Sequence, residues 1–583
     1  LFRFVFTNIR RLGRFCSVIL GFKDKTEYLF ISFTYFLLFL LSFYFFFIIF
    51  AKYSKHNEMK IERNFDRKDL INNATQVDEF DLIVIGGGST GLGIALDSAT
   101  RGYKTLLLEQ LDYAKGTSSR STKLVHGGVR YLAQANISLV REALKERGLL
   151  EQNAPHLVKN QTFLIPNYTW WEGPYYTLGL KAYDFLAGKL SLGKSKHVNK
   201  NETIRKLPTI QKNKLKGSVS YQDGQFDDSR LAINIAQTAI ENGASLLNYF
   251  KVKNLTKGNN NQVSGVIAID QESQKEHIFK GKAIINATGV FADAILQMDQ
   301  PGAKKRIQPS QGVHLVFDKS FLPSEDAIMI PKTDDGRVLF AVPWHDKVIV
   351  GTTDEIVDQH STEPKATEKE VDFILETFNR FIEKKATRKD IKSIYEGLRP
   401  LAAREDESGK TKEISRGHKI FVSETGLISI TGGKWTTYRK MAEDTLNKVI
   451  SLGNLPQKDC VTESLSIHGA MKTKERDNHL YVYGSDQQHL QKLIEEEAEL
   501  GHKIHPDLPY LNVEVLWAAR HEMARTVEDV LARRVRVLFL DAKKSIEMAP
   551  KVAEIMAKEL NKNQQWIDHQ VEAYTKLAKG YFL

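Results

Sequence analysis

Phe80-Asp81-Leu82-Ile83-Val84-Ile85-Gly86-Gly87-Gly88-Ser89-Thr90-Gly91 is the stretch that decides the fold of this chain. The apolar run from Leu82 to Ile85 suits a strand covered on both faces. Gly86 permits a tight turn, Gly88 lets a pyrophosphate approach the backbone, and Gly91 lets the following helix pack closely on the strand. The helix that starts near Gly91 aims its free N–H groups and the positive end of its dipole at the phosphates. A second strand, Thr105 to Leu108, ends at Glu109. That is about twenty residues downstream, where a carboxylate holds a pair of ribose hydroxyls. A glycine-rich turn in an ordinary α/β unit leaves Glu109 unexplained, so the order strand, triplet, helix, strand, acid reads as a dinucleotide site.

The rest of the composition narrows the class. A chain of 583 residues with 42% hydrophobic content has room for two or three domains with large cores. Cys16 and Cys460 are its only cysteines, which argues against a disulfide framework, an iron–sulfur cluster or a cysteine zinc site. No metal motif occurs, so redox chemistry has to come from an organic cofactor. The formal charge of +11 favours anionic partners. Phosphorylated metabolites and acidic lipids fit best, and nucleic acid is not expected, because neither a recognition module nor a dense basic stripe is present.

From Tyr28 to Ala51 there is no charged residue, and the run matches the ~20 residues that cross a bilayer core. Residues 28–51 are therefore expected to be one transmembrane helix. Residues 1–27 carry Arg3, Arg10, Arg11, Arg14, Lys23 and Lys25 against Asp24 and Glu27, like part of a mitochondrial targeting sequence. Lysines flank both sides of the apolar run, so loop charge orients it only weakly. The polar stretch 52–78 reads as a tether.

The fold class that follows is α/β. A Rossmann-like domain over 79–455 is interleaved with an antiparallel-sheet substrate domain, approximately 150–215 and 305–395, and a helical cap occupies 456–583. In the substrate parts apolar and polar residues alternate, as at Val313, Leu315 and Phe317. The loop Thr117-Ser118-Ser119-Arg120-Ser121-Thr122-Lys123, continuing through His126, Gly127 and Gly128, offers many hydrogen bonds to a cofactor, though its composition also suits a surface loop. Ala287-Thr288-Gly289 closes an apolar strand that returns to the cofactor sheet, and Gly432-Gly433-Lys434-Trp435-Thr436 returns to it again. Clustered aromatics at Tyr168–Tyr176, beside Lys181 and Lys189, suit either a membrane interface or an aromatic core turn.

Taken in order, six motifs carry a specific likeness: Gly86–Gly91, Thr117–Leu132, Asp223–Leu231, Gln311–Leu315, Gly397–Leu401 and Thr431–Ala442. Over about residues 79 to 575 the chain resembles the membrane-bound, mitochondrial type of FAD-dependent glycerol-3-phosphate dehydrogenase. Arg533-Arg534-Val535-Arg536 falls in a tail like that family's cap. The resemblance implies noncovalent FAD, glycerol 3-phosphate as substrate, dihydroxyacetone phosphate as product and ubiquinone as acceptor. It also implies a place at the mitochondrial inner membrane with the catalytic part facing the intermembrane space; a homodimer is a further expectation, and the long apolar span raises docking to respiratory-chain complexes. Two features depart from the family. There is no Asp-x-Asp-x-Asp-Gly loop, so calcium control is not expected, and the apolar span exceeds what a one-sided membrane contact needs.

The same resemblance sets the site residues. Ser89, Thr90, Gly86, Gly88, Gly91, Glu109, Thr117, Ser118, Ser119, Ser121, Lys123, Gly127, Gly128, Ala287, Thr288, Gly289, Gly432, Gly433, Lys434, Trp435 and Thr436 fall at cofactor positions. Arg130, Tyr131, Arg399, Arg416 and Lys434 fall at substrate positions, where arginine forks suit a phosphate dianion. His314 is the candidate base, since an imidazole titrates near neutrality, and Arg399 joins it as a catalytic candidate. His126 reads as a structural or flavin contact. An oxygen-reducing oxidase on the same scaffold, an amine or amino-acid oxidoreductase and a noncatalytic membrane subunit are the alternatives.

Overall fold

The computed structural model describes residues 65–583 except 133–135, 334–335, 359, 404–416 and 473–477. The basic segment 1–27, the expected transmembrane helix 28–51 and residues 52–64 lie outside the described residues. Among the described residues no helix is long and apolar enough to cross a membrane.

The first strand, Phe80–Ile85, runs parallel between Thr105–Leu108 and Glu276–Asn286, with Val84 facing Leu107 on one side and Ile285 on the other. Every residue of Leu82–Ile85 is buried, as a strand flanked on both edges and both faces requires. Ser245–Leu247 extends the parallel sheet beyond Thr105–Leu108, and Ile428–Gly432 extends it beyond Glu276–Asn286. The helices Ser89–Thr100 and Asp228–Glu241 pack together in one core with Tyr438–Ser451. Asp227 caps the second of these, its carboxylate accepting from the Arg230 N–H.

A second sheet of ten strands carries the other half of the site. Its spine is Ile307–Asp318, antiparallel to Lys347–Gly351 on one edge and to Ile391–Ala402 on the other. The sheet is mixed, because Ala327–Ile330 runs parallel to Val158–Asn167. It also reaches beyond the expected substrate segments, to Leu124–Val125, Gly217–Phe226 and as far as Ala402. Those strands are short or interrupted by Gly and Gln, which hides their alternation.

Part of the expected tether is folded. Arg67–Thr75 is a helix capped by the Asp66 carboxylate, with Ala74 buried. Arg67 donates to Asp270 at 2.6 Å and to the Asn248 carbonyl at 2.8 Å. Polar contacts fasten it, so composition alone reads it as linker.

The C-terminal helices Asn512–His521, Ala542–Glu559 and Gln564–Ala578 share a core of their own with Val537–Leu540. The basic run Arg533–Arg536, between Asn512–His521 and Val537–Leu540, is buried. Arg533 and Arg534 both reach Asp112, at 2.5 and 2.7 Å, and Arg536 reaches Asp227 at 2.7 Å. Burial alone would raise the Asp112 carboxyl, but the two guanidiniums outweigh it and hold it at about 2. This ionic seam joins the cap to the cofactor sheet.

Candidate active site

Between the two sheets lies a cavity of about 640 Å³, within the ~300–1,000 Å³ of small-molecule and cofactor sites. Its floor is the glycine turn. Gly86 has φ +108°, and a Cβ there would stand 2.8 Å from the Ala287 carbonyl oxygen. At Gly91 a Cβ would fall 1.9 Å from the Gly86 carbonyl oxygen, so only glycine lets helix and strand approach this closely. Gly88 is the N-cap and supplies no capping side chain. The Ser89 N–H donates to the Ser118 hydroxyl at 2.9 Å, which ties the Thr117–Lys123 loop to the start of the helix.

Glu109 closes this end. Its carboxylate accepts from the Gly87 N–H at 2.6 Å and from the Leu111 N–H at 2.8 Å, leaving lone pairs for a further donor. Phe250 and Val252 line the cavity beside it and start the alternating strand Phe250–Lys257. At the far wall Gly432 and Gly433 have φ of +76° and +73°. The Trp435 indole N–H donates to the Ser118 carbonyl at 2.9 Å.

Of the cofactor candidates, Gly86, Gly88, Ser89, Thr90, Glu109, Thr117, Ser118, Ser121, Ala287, Thr288, Gly289, Gly432, Gly433, Lys434, Trp435 and Thr436 line the cavity. Gly91, Ser119, Gly127 and Gly128 are buried and are not among the lining residues. Gly127 packs against Leu144 and Tyr183, where a Cβ would stand 2.3 Å from the Leu144 side chain. Lys123 departs from the expectation. Its side chain is fully buried, bonded to Asp228 at 2.7 Å, and it is not among the lining residues.

The catalytic and substrate candidates divide. His314, Arg399 and Lys434 line the cavity. Arg130 and Tyr131 belong to the short helix Val129–Leu132, and Arg416 lies outside the described residues. The Arg399 fork is held by Asp354 at 3.2 Å and by the Thr353 carbonyl at 3.1 Å. Gly312 faces it, and a Cβ there would come within 2.5 Å of Arg399 Nη2.

His314 is buried on the spine strand. Its Nε2 lies 2.9 Å from the Thr122 hydroxyl. Tyr395 and Gly351 are its cross-strand neighbours, and a Cβ at Gly351 would meet the ring at 2.6 Å. Burial, then the charges of Arg399 and Lys123, push its imidazole well below the ordinary range. The near-neutral value expected of a free imidazole therefore does not apply; the ring is neutral at physiological pH. Thr122, His126 and Phe340 also line this end. His126 and Thr122 carry a signal in the sequence, as members of the glycine-bearing loop, and Phe340 carries none.

A parallel sheet ending in a glycine cradle, a second sheet closing over it and a cleft lined by both define an FAD-dependent oxidoreductase. The family model described as FAD dependent oxidoreductase matches residues 81–439, and that of the C-terminal domain of alpha-glycerophosphate oxidase matches 423–567. The chain is 40% identical over 546 residues to the probable mitochondrial glycerol-3-phosphate dehydrogenase of Caenorhabditis elegans, covering 88% of this chain and 75% of that one. With the mitochondrial glycerol-3-phosphate dehydrogenase of Schizosaccharomyces pombe the identity is 35%, covering 88% and 89%. The solved structure of the FAD complex of glycerol-3-phosphate dehydrogenase from Bacillus halodurans matches with TM-score 0.72 and 31% identity, over 88% of this chain and 97% of that chain. The chain belongs to the mitochondrial glycerol-3-phosphate dehydrogenase family, and its cofactor is FAD.

Proposed function

We propose that the chain oxidises glycerol 3-phosphate to dihydroxyacetone phosphate and passes the electrons to ubiquinone at the mitochondrial inner membrane. The observation that carries this reading is the single cleft joining the Gly86–Gly91 cradle to an end lined by His314, Arg399 and Lys434. FAD bound in the cradle supplies the two-electron acceptor. Oxidising a secondary alcohol also requires removal of its hydroxyl proton, a hold on the phosphate and exclusion of water. His314, neutral and buried, accepts the proton. When Nε2–H donates to Thr122, Nδ1 keeps its lone pair, and Nδ1 has no hydrogen-bond partner among the described residues. Arg399 and Lys434 supply positive charge for the dianion, and Arg399 holds its fork in one orientation through Asp354 and the Thr353 carbonyl.

The acceptor reading draws support from the helix Glu172–Ala187. Trp171, Tyr175, Leu178 and Phe185 fall on one stripe of it, with Leu178 75% and Phe185 84% exposed, while Leu180 and Tyr183 are buried on the opposite face. Trp170 just before it is 82% exposed, so this cluster is not the aromatic core turn. Lys181 on the helix itself and Lys196, which opens the strand Lys196–Asn199 packed beside it, are exposed. An apolar face with an aromatic and basic rim suits the surface of an anionic bilayer, where a lipid-dissolved quinone is met; this favours quinone over oxygen. The test is anaerobic mixing of the full-length, detergent-solubilised holoenzyme with glycerol 3-phosphate. Bleaching of the flavin absorbance, reversed quickly by a soluble quinone and slowly by oxygen, is the expected result. Flavin that stays oxidised would overturn the substrate, and fast reoxidation by oxygen would move the reading to an oxidase.

A further inference from the structure

Lys123 was expected in the cofactor cleft, and it lies behind it. Its ammonium bonds both oxygens of Asp228, at 2.7 and 2.9 Å, and the Ser119 carbonyl at 2.6 Å. Around it stand the rings of Trp344, Tyr395 and Phe539, with centroids 5.2, 5.2 and 5.3 Å away. Lys123 itself has φ +60°, an unfavoured backbone for a lysine. Asp228 also accepts from the Ser121 N–H at 3.1 Å and the Ser121 hydroxyl at 2.7 Å. Tyr395, one wall of the cage, donates its hydroxyl to the Ser121 carbonyl at 3.0 Å.

Burying an ion pair in this way rarely stabilises a fold more than an apolar cluster of the same size would. What the pair does supply is geometry, since its contacts include the Ser119 carbonyl, the Ser121 N–H and hydroxyl, and the Tyr395 ring beneath His314. We propose that Lys123 is a positioning residue: with Asp228 inside the aromatic cage it clamps this loop, so that Thr122 holds the His314 ring at the angle proton removal needs. The inference rests on His314 being the base of the reaction.

The test compares holoenzymes by the rate of flavin reduction with glycerol 3-phosphate in single-turnover mixing. Lys123→Met combined with Asp228→Asn removes both charges, so no unpaired carboxylate is left buried. This double variant keeps its flavin absorbance and its KM within about twofold, while the reduction rate falls by roughly a hundredfold, as for a misplaced catalytic group. In a Thr122→Val background the same change lowers the rate no more than about threefold further, since residues that act through one contact are not additive. A full second loss in that background, an unchanged rate, or loss of flavin from the double variant would each overturn the inference. His314→Ala reducing flavin at the parent rate would remove the base reading and this inference with it. A slow His314→Ala beside an unaffected double variant would sink the clamp alone.

Discussion

His314 and Tyr395 are direct cross-strand partners, and their rings lie stacked with centroids 4.7 Å apart and planes 14° from parallel. The tyrosine fixes one face of the imidazole and Thr122 fixes its edge. A histidine held on two sides in a buried strand has lost the freedom of a surface side chain, and its Nδ1 is left without a hydrogen-bond partner among the described residues.

His314→Ala is expected to lower the rate of flavin reduction by about 10²–10⁴-fold while FAD remains bound. Because burial, Arg399 and Lys123 hold the imidazole well below its usual value, the parent enzyme keeps its base deprotonated as pH falls to and through ~6.5. Its pH–rate profile for flavin reduction should therefore show no acid limb near that value. A limb centred there, or an alanine variant with normal single-turnover reduction, removes His314 from the chemistry.

Arg399→Lys keeps the charge and loses the fork that Asp354 and the Thr353 carbonyl orient. The KM for glycerol 3-phosphate should rise roughly tenfold or more, the worth of a charged hydrogen bond. Steady-state titration at saturating quinone measures it, and an unchanged KM counts against the clamp on phosphate.

Gly91→Ala places a methyl group 1.9 Å from the Gly86 carbonyl, so helix and strand have to part. The purified variant should carry little flavin, read as visible absorbance relative to protein. Full flavin content would mean that the cradle tolerates an opening its geometry forbids.

Leu178→Glu with Phe185→Glu charges the exposed stripe of Glu172–Ala187 without touching the cleft. Reduction of the flavin by substrate should stay at the parent rate, and electron transfer to quinone dissolved in anionic vesicles should fall. Equal quinone reduction by both proteins would detach this helix from the membrane.

His468 bridges Glu241 at 2.6 Å and Asp486 at 2.7 Å. Burial opposes its charge, but the two carboxylates outweigh burial and raise it to about 10. A group raised on folding stabilises fully below its unfolded value of ~6.5, and that contribution drains as pH climbs towards the folded value. Thermal stability should fall from pH 7 to 10, and His468→Gln should lose roughly 3–5 kcal/mol at pH 6 and flatten the slope. Parallel pH curves for the two proteins would show that the bridge contributes nothing.

Several residues explain where reading the chain succeeded. Gly86, Gly88, Gly91 and Glu109 sit within one βαβ unit; Gly91 and Glu109 meet Gly86, Gly87 and Leu111 close in sequence, while Gly86 also has to clear the Ala287 carbonyl of a distant strand. Phe340 lines the cleft with no mark on it, because a phenylalanine in a strand is ordinary anywhere, and Thr122 is marked only as one member of a polar loop, with nothing to pair it with His314. Arg533, Arg534 and Arg536 look like a solvated basic run and are buried against Asp112 and Asp227, since their partners lie hundreds of positions away.

By itself the sequence determined the dinucleotide fold, the cofactor class and the family, because backbone sterics and phosphate binding at a helix start are local requirements written in consecutive residues. The tertiary structure alone decided that Lys123 serves a cage instead of the cofactor, that His314 is neutral and that Thr122 is its partner. Lys123 meets Asp228 across 105 positions and His314 meets Thr122 across 192. Burial and charge at such a point are sums over everything the fold packs around it, and no stretch of chain contains that sum.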